Sequence, residues 1–190
     1  MAKYQEVEAK FELFNYENVI KSIENLSLDK VLDNEKQIDT YYTPYHKNFL
    51  EFKIVSEWFR VRETSNKCSI NFKQFLPIGA ERQDQCNEYE TKISDAIALK
   101  KILTALDFKE LIKVDKTRNS WLFDDVEISI DFIEDLGYFI EIEARNKVEE
   151  SEILKMHEHF KEVLRILNAN VGERNRRGYP YMLIEKKFGA

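Results

Sequence analysis

The chain has 190 residues, 43% of them hydrophobic and 13% aromatic, which suits one compact domain burying roughly 70% of its unfolded surface and excludes disordered or collagen-like chains. Lys and Arg number 29 against 35 Asp and Glu, a formal charge of -6, so the basic excess that unspecific nucleic-acid binding draws on is missing and no nucleic-acid partner is expected. Charged residues reach 34% against an ordinary share of about 25%, and where they sit decides the reading.

In chain order, Tyr4 to Leu13 alternates charged and apolar side chains, the period of a strand with two different faces. Val19, Ile20, Ile23 and Leu26 then recur at helical spacing behind Asn15, which predicts a capped helix over Tyr16 to Leu26. Gln37 to Thr43 reads as a strand stopped by Pro44. Glu57 to Glu63 and Lys67 to Phe75 read as a hairpin, and Leu76 to Asp84, with Pro77 and Gly79, as a loop. Gln85 to Ile93 is a further strand, and Asp95 caps a helix carrying Ile97, Leu99, Ile102, Leu103 and Leu106. Strands are expected over roughly 109 to 119, 121 to 132 and 137 to 145, then an amphipathic helix over Ser151 to Leu167 and a tail, Gly172 to Lys187, with room for a short helix. The sum is about eight strands and three helices in one α+β domain.

Cys68 and Cys86 are the only cysteines, too few for a disulfide framework and without metal-site spacing, so they read as reduced thiols. Lys3, Glu6, Glu8 and Lys10 stand where a secretory signal needs an apolar core, and no apolar run reaches membrane-spanning length. A cytoplasmic protein with no membrane partner is expected. The five glycines, at 79, 137, 172, 178 and 189, are too scattered for a phosphate-cradling glycine loop, so any phosphate must be held by side chains.

Side chains two apart share a strand face. On that rule Glu6, Glu8 and Lys10 lie opposite Val7, Ala9 and Phe11. The arrangement recurs as Arg60 and Arg62, as Lys73, as Glu88 and Glu90, as Lys116 and Arg118, as Asp131, and as Glu141 and Glu143. An antiparallel sheet with one wet face also alternates, but such a face mixes in Thr, Ser and Gln, whereas these positions are almost all charged. A sheet curled into a barrel with helices outside would gather the acids beside the bases. Enclosed charges are costly unless paired or bound to ions. Clustered carboxylates suit Mg²⁺ or Mn²⁺, and Arg and Lys suit phosphate oxygens, so the two sets together describe a metal and polyphosphate site.

These residues resemble the signature of the CYTH superfamily, the triphosphate tunnel metalloenzymes. Glu6-Val7-Glu8-Ala9-Lys10 is similar to its ExExK motif. In matching order follow Gln37 to Pro44, Arg60/Arg62, Phe72-Lys73, Glu88/Glu90, Lys116/Arg118, and Asp131 ahead of Leu136-Gly137-Tyr138-Phe139-Ile140-Glu141-Ile142-Glu143. The resemblance implies an eight-stranded antiparallel barrel forming a tunnel, one domain over 1–190 with core motifs at about 4–145 and a C-terminal helical extension over 146–190. It implies that Glu6, Glu8, Asp131, Glu141 and Glu143 ligate or orient a divalent metal. Lys10, Arg60, Arg62, Lys73, Lys116 and Arg118 would hold the triphosphate, with Lys10, Arg60, Arg62 and Lys116 as catalytic groups. Glu88, Glu90 and Arg177 are expected to line the tunnel without an assigned role.

The second motif, the LGYFIEIE ending and Arg176-Arg177-Gly178-Tyr179-Pro180-Tyr181 resemble the class IV adenylyl cyclase branch. That implies conversion of ATP to cyclic AMP and pyrophosphate with Mg²⁺ or Mn²⁺. The alternatives are an inorganic tripolyphosphatase or a nucleoside or organic triphosphatase hydrolysing the terminal phosphate, and a non-catalytic polyphosphate- or nucleotide-binding module. A homodimer follows by family analogy alone. His157 and His159, two apart on a helix, point to different sides and read as surface histidines. Trp58 and Trp121 read as packing residues.

Overall fold

The computed structural model describes residues 4–80 and 85–189. In chain order these form β1 (Tyr4–Gln5), β2 (Glu8–Leu13), α1 (Tyr16–Asn25), β3 (Asp29–Pro44), β4 (Glu57–Thr64), β5 (Cys68–Leu76) and β6 (Gln85–Ile93). There follow α2 (Ala96–Ala105), β7 (Phe108–Phe123), β8 (Val126–Ile133), β9 (Gly137–Ala144), β10 (Val148–Glu149), a 3₁₀ turn (Glu150–Glu152), α3 (Ile153–Ile166), β11 (Val171–Arg174) and α4 (Gly178–Phe188). The class is α+β. An antiparallel sheet has the order β11-β2-β9-β8-β7-β3-β4-β5-β6, and β1 pairs with β10 beside it. No helix among the described residues is long and apolar enough to cross a membrane.

The structure differs from the sequence expectation at several places, among them β3, which begins at Asp29 rather than Gln37, and the short strand β10. The first strand is interrupted at Glu6-Val7. β7 does not break near Ser120 but runs to Phe123, because the reversal is made by Asp124 and Asp125, with Asp124 at φ 51. The tail supplies a strand, β11, as well as helix α4. Of the loop expected over Leu76 to Asp84, positions 81–84 lie outside the described residues.

Contacts divide the chain into two compact units, Met1–Glu35 with Lys116–Arg176, and Lys36–Asp115 with Arg177–Ala190. In the first unit the apolar residues of the strands, among them Ala9, Ile128, Ile130, Ile140 and Ile142, form one core with Val19 and Ile23 of α1 and Phe160, Val163 and Leu164 of α3. The three- and four-residue spacing of those helical positions puts them on one stripe. Burying each such side chain stabilises the fold by about 1.5–3 kcal/mol. Asn15 stands at the start of α1 but its side chain makes no cap bond. Its Oδ1 instead accepts from the Asn170 amide at 2.7 Å and its Nδ2 donates to the Asn168 carbonyl at 2.8 Å, tying the end of α3 to the start of α1.

In the second unit Tyr42 and Val61 pack with Ala96 and Leu103 of α2, joined by Phe59 and Phe108. Asp95 does cap α2, its Oδ1 accepting from the Ala98 amide at 2.8 Å. Tyr179, Pro180, Leu183 and Ile184 of α4 are buried. With one strand face taken by these apolar contacts, period two leaves the other to the charges.

Candidate active site

In the first unit the registers set charges opposite one another. Lys10 of β2 faces Glu141 of β9 and Glu8 faces Glu143. On the other side of β9, Ser129 faces Glu141 and Glu127 faces Glu143. Arg118 of β7 faces Asp131 of β8. Lys10 Nζ lies 2.7 Å from Glu141 Oε2, while Arg118 Nη2 donates to Glu141 Oε1 at 3.1 Å. Arg118 also grips Asp131 with two parallel bonds, Nε to Oδ1 and Nη2 to Oδ2, both 2.7 Å, and Lys116 Nζ adds a third at 3.3 Å. Opposite charges therefore alternate from Lys10 through Glu141, Arg118 and Asp131 to Lys116. Asp131, Lys116 and Glu141 are buried, which is tolerable because each is paired.

The network sets the protonation states. Burial opposes the charged form of Asp131, but Lys116 and Arg118 outweigh it and hold its carboxyl at about 2. Burial likewise works against ionised Glu141, and Lys10, Arg118 and Lys116 bring it well below the carboxylate range. Lys10 is raised, because Glu141 and Glu8 outweigh its burial.

Glu143 differs. Burial pushes it up to about 7, and Glu8, Glu141, Glu6 and Glu127 add to the rise. Like charges face it across both neighbouring strands, an arrangement that is destabilising by itself. One carboxylate oxygen each from Glu8, Glu141 and Glu143 lie within 4.8 Å of one another. An all-oxygen donor set with mutual repulsion fits a hard divalent cation, so these residues could hold Mg²⁺ or Mn²⁺. Glu6, exposed between β1 and β2, and Asp131, its oxygens engaged by Arg118 and Lys116, are not in that converging group. Sequence reasoning missed Glu127, although it shares a strand face with Ser129 and Asp131.

The second unit carries the other cations. Arg62 of β4 faces Asp39 of β3, and Arg60 faces Tyr41. Arg62 donates from Nε to Asp39 Oδ1 at 2.6 Å and from Nη2 to Oδ2 at 2.7 Å, and Arg60 Nη1 reaches Oδ2 at 3.4 Å. Arg60 Nε is buried without an acceptor among the described residues. Burial raises the Tyr41 hydroxyl, whose ring meets Trp58 edge-on at 5.5 Å. Trp58 thus sits on the arginine side of β4, directly opposite Lys73, while Trp121 is in the core as expected.

Lys73 pairs with Glu88 at 3.0 Å, Asn71 Nδ2 donates to Glu88 at 2.7 Å, and Ser69 Oγ donates to Glu90 at 2.8 Å. Burial would raise Glu88, but Lys73 and Asn71 bring it down. Arg177 lies at the start of α4, half exposed, bonded to Glu185 at 3.4 Å and stacked over Tyr181 at 4.9 Å. Asp39 and Asn71 are the groups here that sequence reasoning missed. Both are polar residues on buried strand positions; Asp39 lies in the Gln37 to Pro44 motif but was given no role, and Asn71 was not singled out. The histidines bind neighbours, His159 with Asp125 at 2.9 Å and His157 with Arg174 at 3.2 Å.

The chain is similar to known proteins. The Methanocaldococcus jannaschii protein named "Putative adenylate cyclase MJ0240" is 28% identical over 177 residues, spanning 92% of this chain and 95% of that protein. The structure of PH1819 from Pyrococcus horikoshii is 28% identical with a TM-score of 0.75, covering 96% of this chain and 100% of that one. A Hippeastrum structure, described as "Putative adenylyl cyclase HpAC1" with a dominant triphosphatase activity, shares the fold at a TM-score of 0.63 and 14% identity, over 96% of each chain. The pattern defining the CYTH domain matches residues 4–179, nearly the whole chain. With motif order, strand registers and that match in agreement, the chain belongs to the CYTH domain family.

Proposed function

We propose that this protein is a divalent-cation-dependent enzyme that converts ATP to cyclic AMP and pyrophosphate. The observation that carries the reading is the convergence of Glu8, Glu141 and Glu143 within 4.8 Å with Lys10 bonded to one of them. A non-catalytic polyphosphate-binding module needs the cations but has no use for repelling carboxylates. In this reaction the ribose 3′-hydroxyl gives up its proton to solvent as its oxygen bonds to the α-phosphorus, the bond from that phosphorus to the bridging oxygen breaks, and pyrophosphate departs with the electron pair. Glu8, Glu141 and Glu143 would hold a divalent cation, which would supply charge neutralisation at the phosphate oxygens. Glu6 and Asp131 serve in orienting roles, Asp131 by holding Arg118 and Lys116.

Lys10, Arg60, Arg62, Lys73, Lys116 and Arg118 bind the triphosphate oxygens. Their charge assistance strengthens where phosphate charge grows. The name of the relative from M. jannaschii supports the cyclase reading. The second reading is hydrolysis of the terminal phosphate of a nucleoside or inorganic triphosphate, with water in place of the 3′-hydroxyl. The triphosphatase activity described for the Hippeastrum protein of the same fold supports it. The test is incubation with ATP, and separately tripolyphosphate, in Mg²⁺ and in Mn²⁺, with chromatographic separation of products. Cyclic AMP and pyrophosphate bear out the proposal, while ADP and phosphate replace it with the second reading.

A further inference from the structure

Asp39 has no role in the reading above, yet it is among the most enclosed charged groups of its unit, with its side chain 3% exposed. Its two oxygens take three N–H donors, two from Arg62 and one from Arg60. A buried ion pair is a poor device for stability alone, since desolvation offsets much of its attraction. Its strength lies in geometry, because two parallel bonds fix the plane of a guanidinium as one bond does not.

The construction occurs twice. In the first unit Asp131, directly opposite Arg118, takes the Arg118 Nε and Nη2 at 2.7 Å each, and the cation two residues earlier, Lys116, shares its Oδ2 at 3.3 Å. In the second, Asp39, directly opposite Arg62, takes Nε at 2.6 Å and Nη2 at 2.7 Å, and Arg60, two residues earlier, shares its Oδ2 at 3.4 Å. The same atoms are paired in each case, and each aspartate serves a basic pair spaced as x-R.

We propose that Asp39 is a positioning residue that presets the Arg60 and Arg62 guanidinium groups for a triphosphate before it binds. Asp39 uses the Nε side of the Arg62 fork and so sets where its Nη1 donors point. A flexible arginine loses rotamer freedom when a ligand orders it, and a clamped one has lost it already. The inference rests on the reading of Arg60 and Arg62 as triphosphate-binding residues.

The test is calorimetric binding of inorganic tripolyphosphate, without divalent cation, to the full chain and its variants, with melting curves alongside. Asp39→Glu keeps the charge and displaces the acceptors by a methylene. Asp39→Asn removes the charge and makes the surroundings more cationic. Positioning predicts weaker binding for both, by about tenfold to a hundredfold, the range of other residues that orient a binding group from behind. It also predicts that Asp39→Asn adds little to the loss caused by Arg62→Lys, because the two act as one unit. An Asp39 that only balances charge predicts unchanged binding for Asp39→Glu and tighter binding for Asp39→Asn, and either result overturns the inference.

A nitrogen-15 NMR measurement on the unmodified protein stands apart from variant folding. The Arg62 Nε–H signal of the ligand-free chain is expected to be dispersed and slowly exchanging, and a signal averaged like that of free arginine overturns the inference. Tripolyphosphate binding to the unmodified chain with unaffected variants removes the role of Asp39 alone. Absence of binding to the unmodified chain removes the triphosphate reading beneath it.

Discussion

Glu143 faces Glu8 directly across the β2–β9 pair, and the two carboxylates converge with Glu141 within 4.8 Å. Burial, and after it these like-charged neighbours, push the Glu143 carboxyl up to about 7. A carboxyl raised in the folded state holds its proton more tightly there than in the unfolded chain. Its contribution to stability is therefore fully present below the unfolded value and is lost as pH rises through about 7. Without divalent ions, the melting temperature is expected to fall between about pH 5 and pH 8. Mn²⁺ is expected to raise it more at the upper pH, where it does not compete with a proton. Glu143→Gln should flatten the slope and remove most of the Mn²⁺ response, as read by thermal scans with and without chelator.

Asp131 titrates in the opposite sense. Its carboxyl is lowered from 3.8 to about 2 despite burial, because Lys116 and Arg118 favour the ionised form. The stability it supplies is present above the unfolded value and is lost as pH falls through about 2. Asp131→Ala takes the carboxylate from the paired bonds of Arg118, which keeps Glu141, and from Lys116 in a buried place, and is expected to cost about 3–5 kcal/mol at neutral pH. Urea unfolding of both proteins at several pH values checks this, and the variant should lack the part of the acid transition that Asp131 supplies.

Asn15 is a structural tie rather than a cap. Asn15→Ala removes one donor and one acceptor that meet the Asn168 carbonyl and the Asn170 amide, and should lower unfolding stability by about 1–3 kcal/mol. Asn15→Asp, which keeps the acceptor, should lose less. Denaturant midpoints read both, and the kinetics of a folded Asn15→Asp protein should be unchanged.

The charged strand faces were legible because period two sorts side chains without knowledge of the fold, and on that rule Glu8 and Lys10 were assigned to one face of their strand and Glu141 and Glu143 to one face of theirs. What meets what across strands was not legible, since it depends on register. The chain does not announce that Glu127 stands beside Glu143 or that Asp39 stands opposite Arg62. The strand was expected to end near Asn119 and a new one to begin at Trp121. In the structure Asn119 takes the Asn34 amide at 2.9 Å and the strand continues. Asn15 misled for a related reason, its capping preference having been overridden by longer-range partners.

Phe160 of α3 is 1% exposed within the core of the first unit. Phe160→Ala is expected to cost about 3–5 kcal/mol through lost burial and the cavity left behind. Leu154 on the same helix is 81% exposed, and Leu154→Ala should change stability by about 0.5 kcal/mol or less. The pair of midpoints tests which face of α3 packs on the sheet.

Initial rates on ATP across a Mn²⁺ titration, for the unmodified protein and for Glu8→Gln, read whether the converging carboxylates hold the divalent cation that a triphosphate reaction needs. The expected outcome is no turnover in chelator, saturation with added Mn²⁺, and loss of about a hundredfold or more in the variant. Turnover that persists in chelator, or a Glu8→Gln protein as active as the unmodified one, would contradict it.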